Sequence, residues 1–167
     1  SPHECSSAAS DVYKRQAVLR AFRNTTNQTF SIKWPNDIYL RDKKVSGILI
    51  ESESCGKDII LSAGIGINID IDETFNVNQP HSNLGKDIDH TKLVYLFCNN
   101  LVNFLNAENY DQLVKEFNAN LFAIDKYVSI SLGNLVLEGV LLGINNHGML
   151  MINTGNNVLT INDINST

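Results

Sequence analysis

Between residues 29 and 69 the chain is a series of short alternating segments, each ended by turn residues, and that pattern favours an antiparallel sheet. Residues 29–33 set Phe30 and Ile32 between polar neighbours, the period of a half-buried strand, before Trp34-Pro35-Asn36-Asp37 interrupts it. Proline followed by Asn-Asp is strong turn punctuation, because proline fixes its own φ and the short polar side chains satisfy nearby backbone. Ile38-Tyr39-Leu40 and residues 45–53 are again strand-like, and Arg41-Asp42-Lys43-Lys44 between them is short enough for a hairpin. After Ser54-Cys55-Gly56-Lys57, residues 58–69 supply a third run, rich in Ile and carrying Gly64 and Gly66, and a polar stretch over 70–85 follows.

The period then changes. Leu93, Leu96, Phe97, Leu101, Phe104 and Leu105 follow helical spacing, with Asp89 placed to cap the first turn, and Leu113, Phe117 and Leu121 form the stripe of a second helix. Both faces are expected to pack on the apolar side of the sheet. A shorter helix over 17–23 precedes the first strand, with Val18, Leu19 and Phe22 on one side. From Tyr127 onward short strands are cut by Gly133-Asn134 and by 145–148 and 153–157, which predicts a small β-barrel or sandwich. The fold class is therefore α+β: an antiparallel or mixed sheet with packed helices over 17–124 and a small C-terminal β-barrel over 125–167. Residues 1–16 show no apolar period, no hydrophobic signal-peptide core and no initiator Met, and are expected to be a disordered or foreign leader.

With 167 residues and a formal charge of -5, the chain can bury one main core but carries no broad basic surface, so nucleic acid and anionic membranes are not expected partners. No apolar stretch approaches the roughly 20 residues that cross a bilayer. Cys5, Cys55 and Cys98 are odd in number and widely separated, and read as free thiols in a reducing cytoplasm. His3, His81, His90 and His147 have no Glu or Cys at ligand spacing, so no metal site and no histidine catalyst is expected.

Three clusters carry the chemistry: Lys33-Trp34-Pro35-Asn36-Asp37, Lys44-Val45-Ser46-Gly47-Ile48-Leu49, and Gly64-Ile65-Gly66-Ile67-Asn68. Asn36 offers donor and acceptor together, as an adenine edge requires, although an Asx-turn alone would use Asn36 and Asp37 equally well. Trp34 reads as core. Gly47, Gly64 and Gly66 would let a flat ligand lie on strand backbone, or mark a bulge or a close strand crossing; no helix follows them, so they are not a dinucleotide fingerprint. Lys44 taken alone is a solvated turn lysine like Lys43.

In order and separation these clusters resemble biotin protein ligases, closely over residues 17–68, more loosely to 124, and moderately over the terminal strands. The resemblance implies a class II synthetase-like core that uses ATP and Mg2+ to turn biotin into biotinyl-5'-AMP. Biotin then passes to a lysine of a biotin carboxyl carrier domain. It assigns Lys44 to the biotin carboxyl and phosphate as the catalytic cation, Gly47, Gly64 and Gly66 to the biotin pocket, and Lys33, Asn36, Asp37 and Asn68 to the nucleotide. A fixed cation suits a reaction that brings an anionic carboxylate onto an anionic phosphate. The family's Gly-Arg-Gly-Arg-x-Gly-Arg loop is not among residues 1–16, nor are the strand and helix that should precede Ala17, which implies a truncated copy. Lipoate ligases share the broad fold, but the Lys-Trp-Pro-Asn-Asp signature points to biotin. The alternative reading is a non-catalytic module that binds a carrier or forms a homodimer through a sheet edge.

Overall fold

A computed structural model describes residues 7–55, 58–71, 79–105 and 109–162. The alternating segments form an antiparallel sheet of order β1-β2-β3-β4, made of Phe30–Lys33, Asp37–Leu40, Lys43–Cys55 and Asp58–Ile67. β2 and β3 are joined through Arg41 and Asp42, both left-handed at φ 50 and 65. Two such residues make the tight turn whose twist matches its flanking strands, so the loop is shorter than its four polar residues suggested and Lys44 lies inside β3.

The register slips immediately after the turn. Tyr39 faces Lys44 but Ile38 faces Ser46, which leaves Val45 as the extra residue of a bulge. Val45 and Ser46 both point inward, at 0% and 1% exposure. Strict alternation from the inward Ser46 would turn Lys44 into the core as well. The bulge instead places Lys44 on the outer face with Gly47.

The inner face, with Phe30, Ile32, Ile38, Leu40, Val45 and Ile48, is covered by α1 (Ser7–Thr25), where Leu19 and Phe22 are fully buried and the Phe22 and Phe30 rings lie 5.3 Å apart. α1 begins at Ser7, so residues 7–16, expected as a leader, are helical. What the sequence registered there is a change in the buried surface: Lys14, Arg15 and Gln16, at 4%, 2% and 0% exposure, occupy interior positions and erase the apolar period. Residues 1–6 lie outside the described residues.

α2 (His90–Leu105) and α3 (Tyr110–Ala119) start on the caps Asp89 and Asn109, whose side chains accept the N–H of Lys92 and Gln112 at 2.9 and 3.0 Å. Contrary to expectation, α2 does not lie on the sheet. It packs along α1, where Ala17, Phe104 and Leu113 form a small cluster, because α1 already covers the inner face. α3 meets α1 through Arg20, which binds Glu116 and stacks over Phe104 at 4.5 Å. The Glu116 hydrogen bond, partly opposed by burial, raises the Arg20 pKa above its ordinary value.

Past α3 the chain runs beside β1, with Ile32 N–H donating to Asn120 O at 2.8 Å and Phe122 N–H to Ile32 O at 2.7 Å. A second sheet of order β5-β6-β7-β8 follows, from Tyr127–Leu132, Leu135–Ile144, Leu150–Asn153 and Val158–Ile161. The expected barrel is not closed among the described residues. β5 pairs with β6 and β8 with β7, and closure would need those two edges to meet in register. Leu141, Ile144, Leu150, Ile152 and Ile161 share one apolar cluster with Val114, Phe117 and Leu121, so the core runs across the expected boundary at 124. Asn118 fastens the junction: its amide accepts the Ile144 N–H at 2.7 Å and donates to Ile144 O at 3.1 Å. Among the described residues no helix is long and apolar enough to cross a membrane.

Candidate functional site

The outer face of the first sheet gathers most of the residues singled out from sequence. Asp37 lies across from Gly47, Gly47 from Gly66, and Leu49 from Gly64, so these positions line one side of three strands. Gly64 and Gly66 are exposed and Leu49 is 54% exposed, so the helical layer leaves this face open. A Cβ at Gly64 or Gly66 would approach nothing closer than 3.8 Å. The glycines therefore leave a flat strip of strand backbone, bare for want of side chains and not because the fold crowds it.

At one end of the strip Lys44 Nζ sits 2.7 Å from Asp37 Oδ1, with side chains 35% and 20% exposed. Gly47 completes the contact: a Cβ there would stand 3.3 Å from Lys44 Cε and Nζ and 3.6 Å from Asp37 Oδ1. Main-chain bonds fix the base of this lysine. Its N–H donates to Pro80 O at 3.1 Å and its carbonyl accepts the Ser82 N–H at 2.8 Å, so residues 80–82 run parallel to it.

Lys33 is on the same face, opposite Asp37 in register, but its ammonium donates to Tyr39 Oη at 2.9 Å. The two amides differ from the open pair expected. Asn36 Oδ1 accepts Arg15 Nη2 at 2.6 Å, while Asn36 O takes the Ile48 N–H at 2.7 Å. Asn68 donates its amide to Ser82 O at 3.1 Å and Lys44 O at 3.4 Å, and its N–H binds the carbonyl of the bulged Val45 at 2.9 Å. Asn68 thus holds the base of Lys44 in place. Trp34, read as core, is half-buried and packs on the main apolar cluster.

Sequence reading missed Tyr39, Arg15 and the segment carrying His81. Tyr39 was within reach, since it stands two residues from Asp37 on the same strand and so on the same face. The other two meet the site only through tertiary structure. At this end of the strip the described side chains offer the Lys33 and Lys44 cations and the Asp37 carboxylate beside bare strand backbone, which suits a flat ligand with an anionic end.

Residues 6–70 match the family model described as the biotin/lipoate A/B protein ligase family. The bifunctional ligase/repressor BirA of Escherichia coli (strain K12) is 28% identical over 130 residues, which cover 72% of this chain and 40% of that protein. Biotin--[acetyl-CoA-carboxylase] ligase of Paracoccus denitrificans is 48% identical over 40 residues, 23% of this chain and 17% of that protein. The chain thus spans less than half the length of these relatives. Among solved structures, the apo biotin protein ligase of Aquifex aeolicus superposes with a TM-score of 0.79 at 26% identity, covering 93% of this chain and 72% of that one. The same ligase in complex with biotin and ATP gives 0.78 at 24%, covering 93% and 68%. By sequence over residues 6–70 the chain matches the biotin/lipoate A/B protein ligase family, and by fold over nearly all its length it resembles biotin protein ligases.

Proposed function

We propose that this chain forms part of a biotin protein ligase and that the strip of Gly47, Gly64 and Gly66 seats biotin, with its carboxylate toward Lys44. The observation that carries the reading is the contact among Lys44, Asp37 and Gly47 at the end of an uncovered glycine strip. Biotin is flat and polar at its ureido end and anionic at its valerate end. The bare strand backbone gives the first a flat surface to lie on, and Lys44 supplies a counter-charge for the second. In the reaction the carboxylate attacks the α-phosphorus of ATP, biotinyl-5'-AMP forms and pyrophosphate leaves. A carrier lysine amine then displaces AMP. Lys44 acts where the carboxylate and phosphate charges converge, and the bulge and Asn68 keep it from having to reorganise. Lys33 lies on the same face toward the nucleotide side, with Asn36 and Asp37 at its turn.

Magnesium enters with the ATP phosphates as part of the substrate, since the Asp37 carboxylate is engaged by Lys44. The acceptor is a biotin carboxyl carrier domain, as the ligase named for the acetyl-CoA carboxylase suggests.

The test is biotin-dependent exchange of pyrophosphate into ATP, together with labelling of a carrier domain, in the chain and in Lys44→Ala. Exchange or labelling that needs both biotin and Lys44 supports the reading. A chain that binds neither biotin nor a biotinyl-adenylate analogue by calorimetry, while still capturing a carrier domain, belongs instead to a non-catalytic module.

A further inference from the structure

The side-chain pairs on the glycine face run diagonally to the strand register. Across the ladder, Lys33 is opposite Asp37 and Tyr39 is opposite Lys44. The bonds are instead Lys33 to Tyr39 and Lys44 to Asp37, at 2.9 and 2.7 Å. Residues directly opposite in an antiparallel pair have Cβ atoms only about 5 Å apart, and opposite charges there attract. The default on this surface is therefore a direct Lys33–Asp37 ion pair, or one carboxylate shared between both lysines. Neither is formed: Lys33 bonds Tyr39 and Lys44 alone bonds Asp37.

Tyr39 is 5% exposed, its ring lies 5.2 Å from that of Phe122, and its hydroxyl oxygen also accepts Gln79 Nε2 at 2.6 Å. An acceptor fixed by three separate parts of the chain orients the Lys33 ammonium without cancelling its charge, because a phenol is neutral where a carboxylate is not. At this end of the strip two ammonium groups, Lys33 and Lys44, then stand beside the single Asp37 carboxylate, which Lys44 alone engages. Had Lys33 closed on Asp37, Lys44 would share its counter-ion and a new anion would first have to break an ion pair.

We propose that Tyr39 is a positioning residue that holds Lys33 off Asp37 and reserves its charge for the phosphates of the nucleotide substrate. The proposal rests on the ligase reading above. It predicts a split between ligands: the nucleotide depends on Tyr39, and biotin, seated at the Lys44 end, does not.

The experiment measures ATP and biotin dissociation constants separately by calorimetry, for the chain, Tyr39→Phe, Lys33→Ala and the double variant, with a thermal midpoint for each. Phenylalanine keeps the ring against Phe122 and removes only the acceptor. Expected is an ATP affinity about tenfold weaker in Tyr39→Phe with biotin affinity unchanged, and less than about a twofold further loss when Tyr39→Phe is added to Lys33→Ala. Equal weakening of both ligands, no weakening of ATP, or a Tyr39→Phe effect that persists in full without Lys33 would overturn the proposal. An unsubstituted chain that binds neither ligand would overturn the ligase reading itself, so the two failures appear in different samples.

Discussion

Lys44 and Asp37 form a 2.7 Å ion pair across neighbouring strands, and the lysine reaches it only because Val45 is bulged inward. The pair holds the ammonium at the end of the glycine strip before any ligand arrives. Lys44→Ala is expected to lower biotin-dependent pyrophosphate exchange by about 10²–10³ fold, the usual loss when one preorganised charge-stabilising group is removed. Lys44→Arg should not restore it. The lysine presents a compact ammonium to Asp37 Oδ1 at 2.7 Å, and a planar, forked guanidinium cannot place its charge at the same point. Exchange rates that survive in either variant would count against Lys44.

Close packing does not require the glycines at 64 and 66, which the proposed reading assigns to a ligand. At Gly66 an added Cβ meets only Gly47 O at 3.9 Å, and at Gly64 the nearest atom is Leu49 Cβ at 3.8 Å. Gly66→Val and Gly64→Val should therefore fold with thermal midpoints within about 3 °C of the parent, since β-branched residues suit a strand. Biotin affinity should nonetheless fall by at least about tenfold, because the new side chains stand where the ligand would lie. Unchanged affinity by calorimetry would move the pocket off this face.

Beside the shared apolar cluster, one amide joins α3 to the second sheet. Asn118 satisfies both the N–H and the carbonyl of Ile144, a residue only 1% exposed. Asn118→Leu leaves two backbone groups without partners and should lower unfolding stability by about 2 kcal/mol, read from the denaturant midpoint at constant slope. Gly143→Ala should act in the same direction, because its Cβ would lie 2.8 Å from Asn118 Oδ1 at φ +122.

The sequence made the outer face legible through simple alternation. Asp37 and Tyr39 alternate with Ile38 and Leu40, and the same period puts Gly64 and Gly66 on one side. Asp89 as a cap followed from its position before the apolar stripe. Val45 was not legible, since a bulge adds one residue without any distinctive side chain and its effect lies in which way Lys44 then points. Nor was the engagement of Asn36 and Asn68, because Arg15 and Ser82 reach them from distant parts of the chain. That the barrel is not closed among the described residues was not legible for a related reason: strand count and turn spacing describe a meander and a closed barrel equally, and closure depends on whether the two edge strands meet.

Gln16 offers the last test, at the point where sequence and structure disagree most. It is 0% exposed, and neither its Oε1 nor its Nε2 has a hydrogen-bond partner. An amide moved from water to an unpaired interior site is destabilising by about 1–3 kcal/mol in proteins, whereas a leucine of similar reach gains from the same burial. Gln16 stands on the stripe of α1 that also carries Val12, Leu19 and Phe22 toward the sheet, so an apolar side chain extends an existing surface. Gln16→Leu is therefore expected to raise stability by about 1–3 kcal/mol, seen as a higher thermal midpoint with ligand binding unaffected. If the first half of α1 were not docked on the sheet in solution, the substitution would leave the midpoint where it was, and protease cleavage within residues 7–16 would remain rapid. A raised midpoint together with protection there would show that the helix is packed from its first turns, with its polar residues as its weakest contact.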